Sequence, residues 1–207
     1  MRPDALSSDA SLLSSLAKAY EFMEYDVSLL SEGESRQFDA LGVSPDAKRK
    51  TARDEAFTVI DIGDDQVIGF YRMPTLPNGG TTPDSTVLRD VSDMIKALRS
   101  KVTLLVALSD WGWLGEREYL ADGDAIHPDV LLGSGLGSGV NGRVMGDDSC
   151  IWIRPYDKGR TLVELQVFSW PTRGQDVVWS EPDNYRVLSI GLGDEYVENP
   201  DVNAILK

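Results

Sequence analysis

Cysteine and histidine are almost missing from this sequence, with Cys150 and His127 the sole example of each. A lone cysteine makes no internal disulfide and assembles no cysteine-based zinc site. With one histidine, a Ser-His-Asp triad has only His127 as its base, and no Gly-x-Ser-x-Gly elbow accompanies it. No apolar run approaches the length needed to cross a bilayer, so membrane insertion is not expected. The opening MRPDALSSDASLL has no basic segment followed by an apolar stretch, which leaves the compartment open: periplasmic or extracellular if a leader was removed, cytoplasmic otherwise. Basic residues are scarce too. Lys and Arg number 20 against 34 Asp and Glu, a formal charge of -14, and that balance opposes binding to nucleic acid or an anionic membrane.

What is present suits a folded chain. The 42% hydrophobic content across 207 residues is enough for a continuous core. No internal repeat, coiled-coil heptad or long low-complexity linker is visible, so the economical reading is a single domain over residues 1–207.

Leu12, Leu13, Leu16, Tyr20 and Met23 recur at helical spacing after the cap-capable Ser8 and Asp9, which predicts an amphipathic helix. Val27 to Leu30 reads as a short strand. Ala56 to Ile62 and Gln66 to Met73 flank Gly63, Asp64 and Asp65 and read as a hairpin. After the loop MPTLPNGGTTPDS, a helical stripe of Leu88, Val91, Met94, Ile95 and Leu98 leads into Val102 to Leu108, an apolar strand of the kind buried on both faces. A short helix is expected around Glu116 to Ala121. Pro128 to Leu132 reads as a second buried strand, ending in the flexible run GSGLGSG. Cys150 to Arg154 and Thr161 to Trp170 read as a hairpin around PYDKG, with a last strand at Tyr185 to Ile190. The alternation of β and α in the middle of the chain makes the fold class α/β.

Three segments in order resemble the calcineurin-like domain of bacterial periplasmic 5′-nucleotidases and related two-metal phosphoesterases. YDVSLLSEGE resembles a strand followed by a Gly-Asn-His-Glu turn. VTLLVALSDWG is similar to a strand ending in Ser-His-x-Gly. PDVLLGSGLGSG looks like the Asp-Val-Ile-Ile-Gly-Gly-His-Ser-His strand. CIWIRPYDKGRTLVELQVF and YVENPDVNAILK resemble that domain's later hairpin and its lead-out. The resemblance runs from about Ala19 to Lys207. It implies a mixed β-sandwich flanked by helices, the four-layer αββα arrangement of a metallophosphoesterase, incomplete because the strands carrying the earliest metal motifs have no counterpart.

The same resemblance implies lost chemistry. The family's metal-binding Asn falls at Glu32, its catalytic His at Gly33 and its Glu at Glu34. The next ligand His falls at Asp110, and the last two at Gly135 and Gly137. Glycine offers no side-chain ligand where imidazole is wanted, and without two ions the charge of the transition state goes unneutralised. The expectation is a non-catalytic, phosphoesterase-like module, a pseudoenzyme that works through contact with a partner protein or through self-association, with no cofactor.

Two alternatives stand beside it. One is a metal-dependent phosphoesterase whose carboxylates Glu32, Glu34 and Asp110 gather around a hard divalent cation, although such loop carboxylates are usually just solvated. The other is a small-ligand binding protein using Trp111 and Trp113 beside Asp110, at the strand end where open α/β sheets present ligands. Average tryptophan burial favours a core role for that pair. GSGLGSG partly imitates a phosphate-cradling turn, but no convincing helix and no Lys-Ser/Thr follow it.

Overall fold

A computed structural model of the chain describes residues 9–77, 80–156 and 159–207. Its elements, in chain order, are α1 (Ala10–Phe22), β1 (Ser28–Leu29), α2 (Glu32–Leu41), β2 (Arg49–Lys50), β3 (Phe57–Gly63), β4 (Gln66–Arg72) and α3 (Ser85–Arg99). Then come β5 (Leu104–Ser109), α4 (Gly112–Ala121), β6 (Val130–Gly133), β7 (Val140–Met145), β8 (Cys150–Arg154), β9 (Thr161–Val167), β10 (Tyr185–Gly191) and α5 (Pro200–Leu206). The class is α/β. The contacts gather in two compact units: residues 9–56 with Gly193–Lys207, and Phe57–Leu192.

The first unit is small and mostly helical. Asp9 caps α1 by accepting from the Ser11 amide, and the apolar stripe of α1 buries Leu13 and Ala17 with Leu30 and Phe38. β1 pairs in parallel with β2 over two residues, and α5 packs along α1. The turn expected at Glu32 to Glu34 is instead the first turn of α2. Ser31 and Glu34 form a capping box, each accepting from the other's backbone amide, and the acidic Glu32 and Glu34 sit where the helix dipole favours them.

The second unit is built on a mixed six-stranded sheet in the order β3-β4-β5-β6-β8-β7. β4, β5, β6 and β8 run parallel, while β3 and β7 close the two edges antiparallel. All six residues of β5 are buried, as its unbroken apolar pattern predicts. α3 follows the expected stripe, burying Val91, Ile95 and Leu98.

Two expectations give way here. β8 does not pair with β9; it pairs with β6 and β7, while β9 forms a separate antiparallel ribbon with β10. The turn PYDKG has the composition of a local hairpin, but CIWIR is apolar almost throughout, and the sheet buries it on both faces. Asp157 and Lys158 in that turn lie outside the described residues, as do Asn78 and Gly79 of the earlier loop and the cap candidate Ser8. VNGRVM, polar and interrupted by glycine, forms the edge strand β7, whose register shifts between Val140 and Arg143. α4 begins at Gly112 rather than near Glu116, because backbone carbonyls of a neighbouring loop stabilise its first turn and no side chain caps it.

Candidate functional site

The carboxyl ends of β5 and β6 lie side by side, Ser109 in register with Gly133. The second and third motif segments therefore feed one place at the sheet edge. The loop 134–138 leaves β6 there and folds against the start of α4: Gly112 N donates to Ser134 O at 3.1 Å and Trp113 N to Leu136 O at 2.7 Å. These are the amides that an anion would seek at a helix N-terminus, and the loop's own carbonyls already hold them.

Beneath the loop, Arg154 at the end of β8 uses all five of its N–H donors. Nη1 donates to Glu116 Oε1 at 2.6 Å and to Ser134 O at 2.8 Å; Nη2 donates to Gly135 O at 3.1 Å and Leu136 O at 3.3 Å; Nε donates to Ser138 O at 3.2 Å. Glu116 Oε2 accepts from the Trp152 indole at 2.8 Å. Glu116 is 0% exposed and Arg154 3%. Burial pushes the Glu116 carboxyl above its ordinary range, against the pull of the Arg154 guanidinium beside it. The pair fits only because residue 133 is glycine: a Cβ there would stand 1.9 Å from Glu116 Oε2. The run expected to be flexible is thus tied down at four carbonyls.

This donor set does not suit a two-metal centre. Gly135 and Gly137, where the expected resemblance would need histidines, have no side chain, and the Gly135 carbonyl points at a guanidinium. A divalent cation at this spot would meet an unfavourable Coulomb term from the buried Arg154.

The other candidates have partners of their own. Asp110 Oδ2 accepts from Thr75 Oγ1 at 2.7 Å. Trp111 is buried, its indole donating to Pro74 O at 2.6 Å and its ring edge-on to Tyr119. Trp113 is half-buried, with the Arg117 guanidinium 4.5 Å from its ring centre. Glu32 and Glu34 belong to the first unit, where Glu34 pairs with Arg49 at 3.1 Å and Glu32 with Arg53 at 3.2 Å. Among the described residues, no three His, Cys, Asp or Glu side chains are grouped to hold a metal ion.

Sequence reasoning passed over Glu116, Arg154, Arg99 and Asp129. The available signal was a charge inside or ending an apolar run, as in CIWIR and PDVLL, because such residues are rarely buried without a partner.

His127 lies away from this edge. Its Nε2 stands 3.0 Å from Tyr119 O, and burial holds the imidazole pKa below the ordinary 6.5. A depressed histidine stays neutral in the fold while the unfolded chain takes up a proton. Stability present above pH 6.5 is therefore expected to be lost as pH falls from 6.5 through the folded value. The urea midpoint should drop between about pH 7 and about pH 5.5. His127→Gln should flatten that slope, since the chain has no other histidine.

Comparison with family models and with curated proteins returns no match. A solved structure described as a hypothetical protein from Thermus thermophilus is similar, at 12% identity over 70% of this chain and 69% of that chain, with a TM-score of 0.34. A likeness that slight carries no argument.

Proposed function

We propose that this chain is a non-catalytic binding module, phosphoesterase-like in ancestry, that contacts a protein through the carboxyl edge of its six-stranded sheet. One observation carries the reading: Arg154 turns the carbonyls of residues 134, 135, 136 and 138 inward. The loop is preorganised, and around its exposed serines and glycines stand apolar and aromatic side chains from the loop, α4 and the end of β8. Leu136 is 58% exposed and Tyr156 is 54% exposed. Trp113 stands half-buried beneath Arg117. Aromatic residues and arginine are enriched at protein interfaces, and a preset surface binds with less ordering cost.

The finer architecture, an incomplete four-layer αββα phosphoesterase sandwich, belongs to the same proposal. Its support is the register of Ser109 with Gly133, which brings two motif segments to one edge. An enzyme built on that edge would need inward-facing ligands, and here a guanidinium stands in their place.

The testable occupant is a second copy of the chain. Sedimentation velocity over a concentration series should show self-association, weakened about thirtyfold by Leu136→Asp or Tyr156→Ser if these act as hot spots of about 2 kcal/mol. Bis(p-nitrophenyl) phosphate and AMP should not turn over with added Mn²⁺. A strictly monomeric chain, or manganese-dependent turnover lost in Asp110→Ala, would defeat the proposal.

A further inference from the structure

A cavity of about 530 Å³ lies in the second unit, between the end of α4 and the segment after it, the β7–β8 turn and the stretch 176–178. That volume falls in the range of small-molecule sites. We infer that this cavity binds an organic cation, a protonated amine carrying an apolar group, with His127 Nδ1 as the acceptor for one ammonium N–H.

The tautomer follows from the partner. A carbonyl oxygen only accepts, so the 3.0 Å contact with Tyr119 O requires the proton on Nε2 and leaves the Nδ1 lone pair available. His127 is 9% exposed and lines the cavity, with its Nε2 spent on the Tyr119 carbonyl. Desolvation by burial keeps it neutral near pH 7. Residue 146 packs beside Nδ1 and only glycine fits there: a Cβ would stand 2.5 Å from that nitrogen, and the backbone has φ +63°.

Charge selects the ligand's sign. Asp122, Asp147 and Asp176 line the cavity and no Lys or Arg does. Arg99 stands behind, 3.5 Å from Asp176, with its other nitrogens on Asp129 and the His127 carbonyl. Ile126, Val177 and Val178 supply an apolar wall. The acids are not grouped tightly enough with the imidazole to hold a metal ion. A ligand whose charge and apolar body are spread over several ångströms suits this lining better than a compact cation.

The test is a titration of protein carrying ¹⁵N-labelled histidine with phenethylammonium chloride, followed through the imidazole nitrogens. Phenethylammonium should shift Nδ1 saturably at millimolar concentration, and 2-phenylethanol, which has the same apolar body without the charge, should bind more weakly. His127→Phe should abolish binding. Asp147→Asn, at an exposed turn position that tolerates asparagine, should weaken it about threefold while leaving the fold intact. No saturable shift, an equal response to the alcohol, or a response to zinc chloride without one to the ammonium overturns the inference.

Discussion

Replacing Glu116 with alanine is expected to lower the unfolding free energy by about 3–5 kcal/mol, the cost of leaving one partner of a buried ion pair alone. The site offers no relief. Arg154 is 3% exposed, so its guanidinium has no route to water, and the indole N–H of Trp152 loses its acceptor in the same stroke. Replacing both partners separates the charge from the shape. Glu116→Leu with Arg154→Met removes the charges together and should recover much of the loss, because an apolar pair of similar volume forgoes the desolvation penalty. The loop should respond differently. Without Arg154 the carbonyls of Ser134, Gly135, Leu136 and Ser138 lose their common donor, so amide exchange across 134–138 should quicken in the double variant even where global stability returns. Urea unfolding followed by tryptophan fluorescence measures the first effect and hydrogen exchange the second. A Glu116→Ala cost under ~1 kcal/mol would mean that the pair is not isolated from water as its burial implies.

The elements legible in the sequence are those whose signal is local. Helix α3 shows its stripe and β5 its unbroken apolar run, and the hairpin of β3 and β4 turns on Gly63, Asp64 and Asp65. Helix α2 was equally legible: Ser31-x-x-Glu34 is a capping box, and reading those residues as a ligand-bearing turn hid it. Asn199 followed by Pro200 at the start of α5 is a comparable cap signal inside a segment read as a lead-out. The partner of β8 was not legible, because a strand pattern says which residues alternate and nothing about which strand lies alongside. The candidate site fails for the same reason. Its central bond joins Glu116 to Arg154, 38 residues apart, and no spacing rule links a helix carboxylate to a strand-end arginine across two intervening strands. Trp111 and Trp113 were placed correctly at the end of β5, yet their different fates depend on Pro74 and Arg117, which meet them only in three dimensions.

A second buried carboxylate should prove as costly as Glu116. Asp129, 2% exposed, precedes β6 and ties three elements together. Its Oδ2 accepts from Leu105 N in β5 at 2.7 Å, its Oδ1 from Arg99 Nη1 at the end of α3 at 2.6 Å, and its backbone carbonyl from the Trp179 indole at 2.9 Å. Alanine removes only the side-chain bonds. That leaves the Leu105 amide without an acceptor in the buried centre of the sheet and Arg99 without the carboxylate that balances it, for an expected loss of about 3–5 kcal/mol. The exposed Asp176, 3.5 Å from Arg99 Nε, lies in water and is too well screened to substitute. Asparagine separates the two contributions: it can still accept from Leu105 N but carries no charge for Arg99, so its cost should be roughly half, about 1.5–3 kcal/mol. Urea unfolding of the two variants side by side measures both. If Asp129→Asn proves as damaging as Asp129→Ala, the charge on Arg99 rather than the Leu105 amide dominates. If asparagine costs nothing, the ion pair contributes no net stability, and Asp129 is held in place by the strand amide alone.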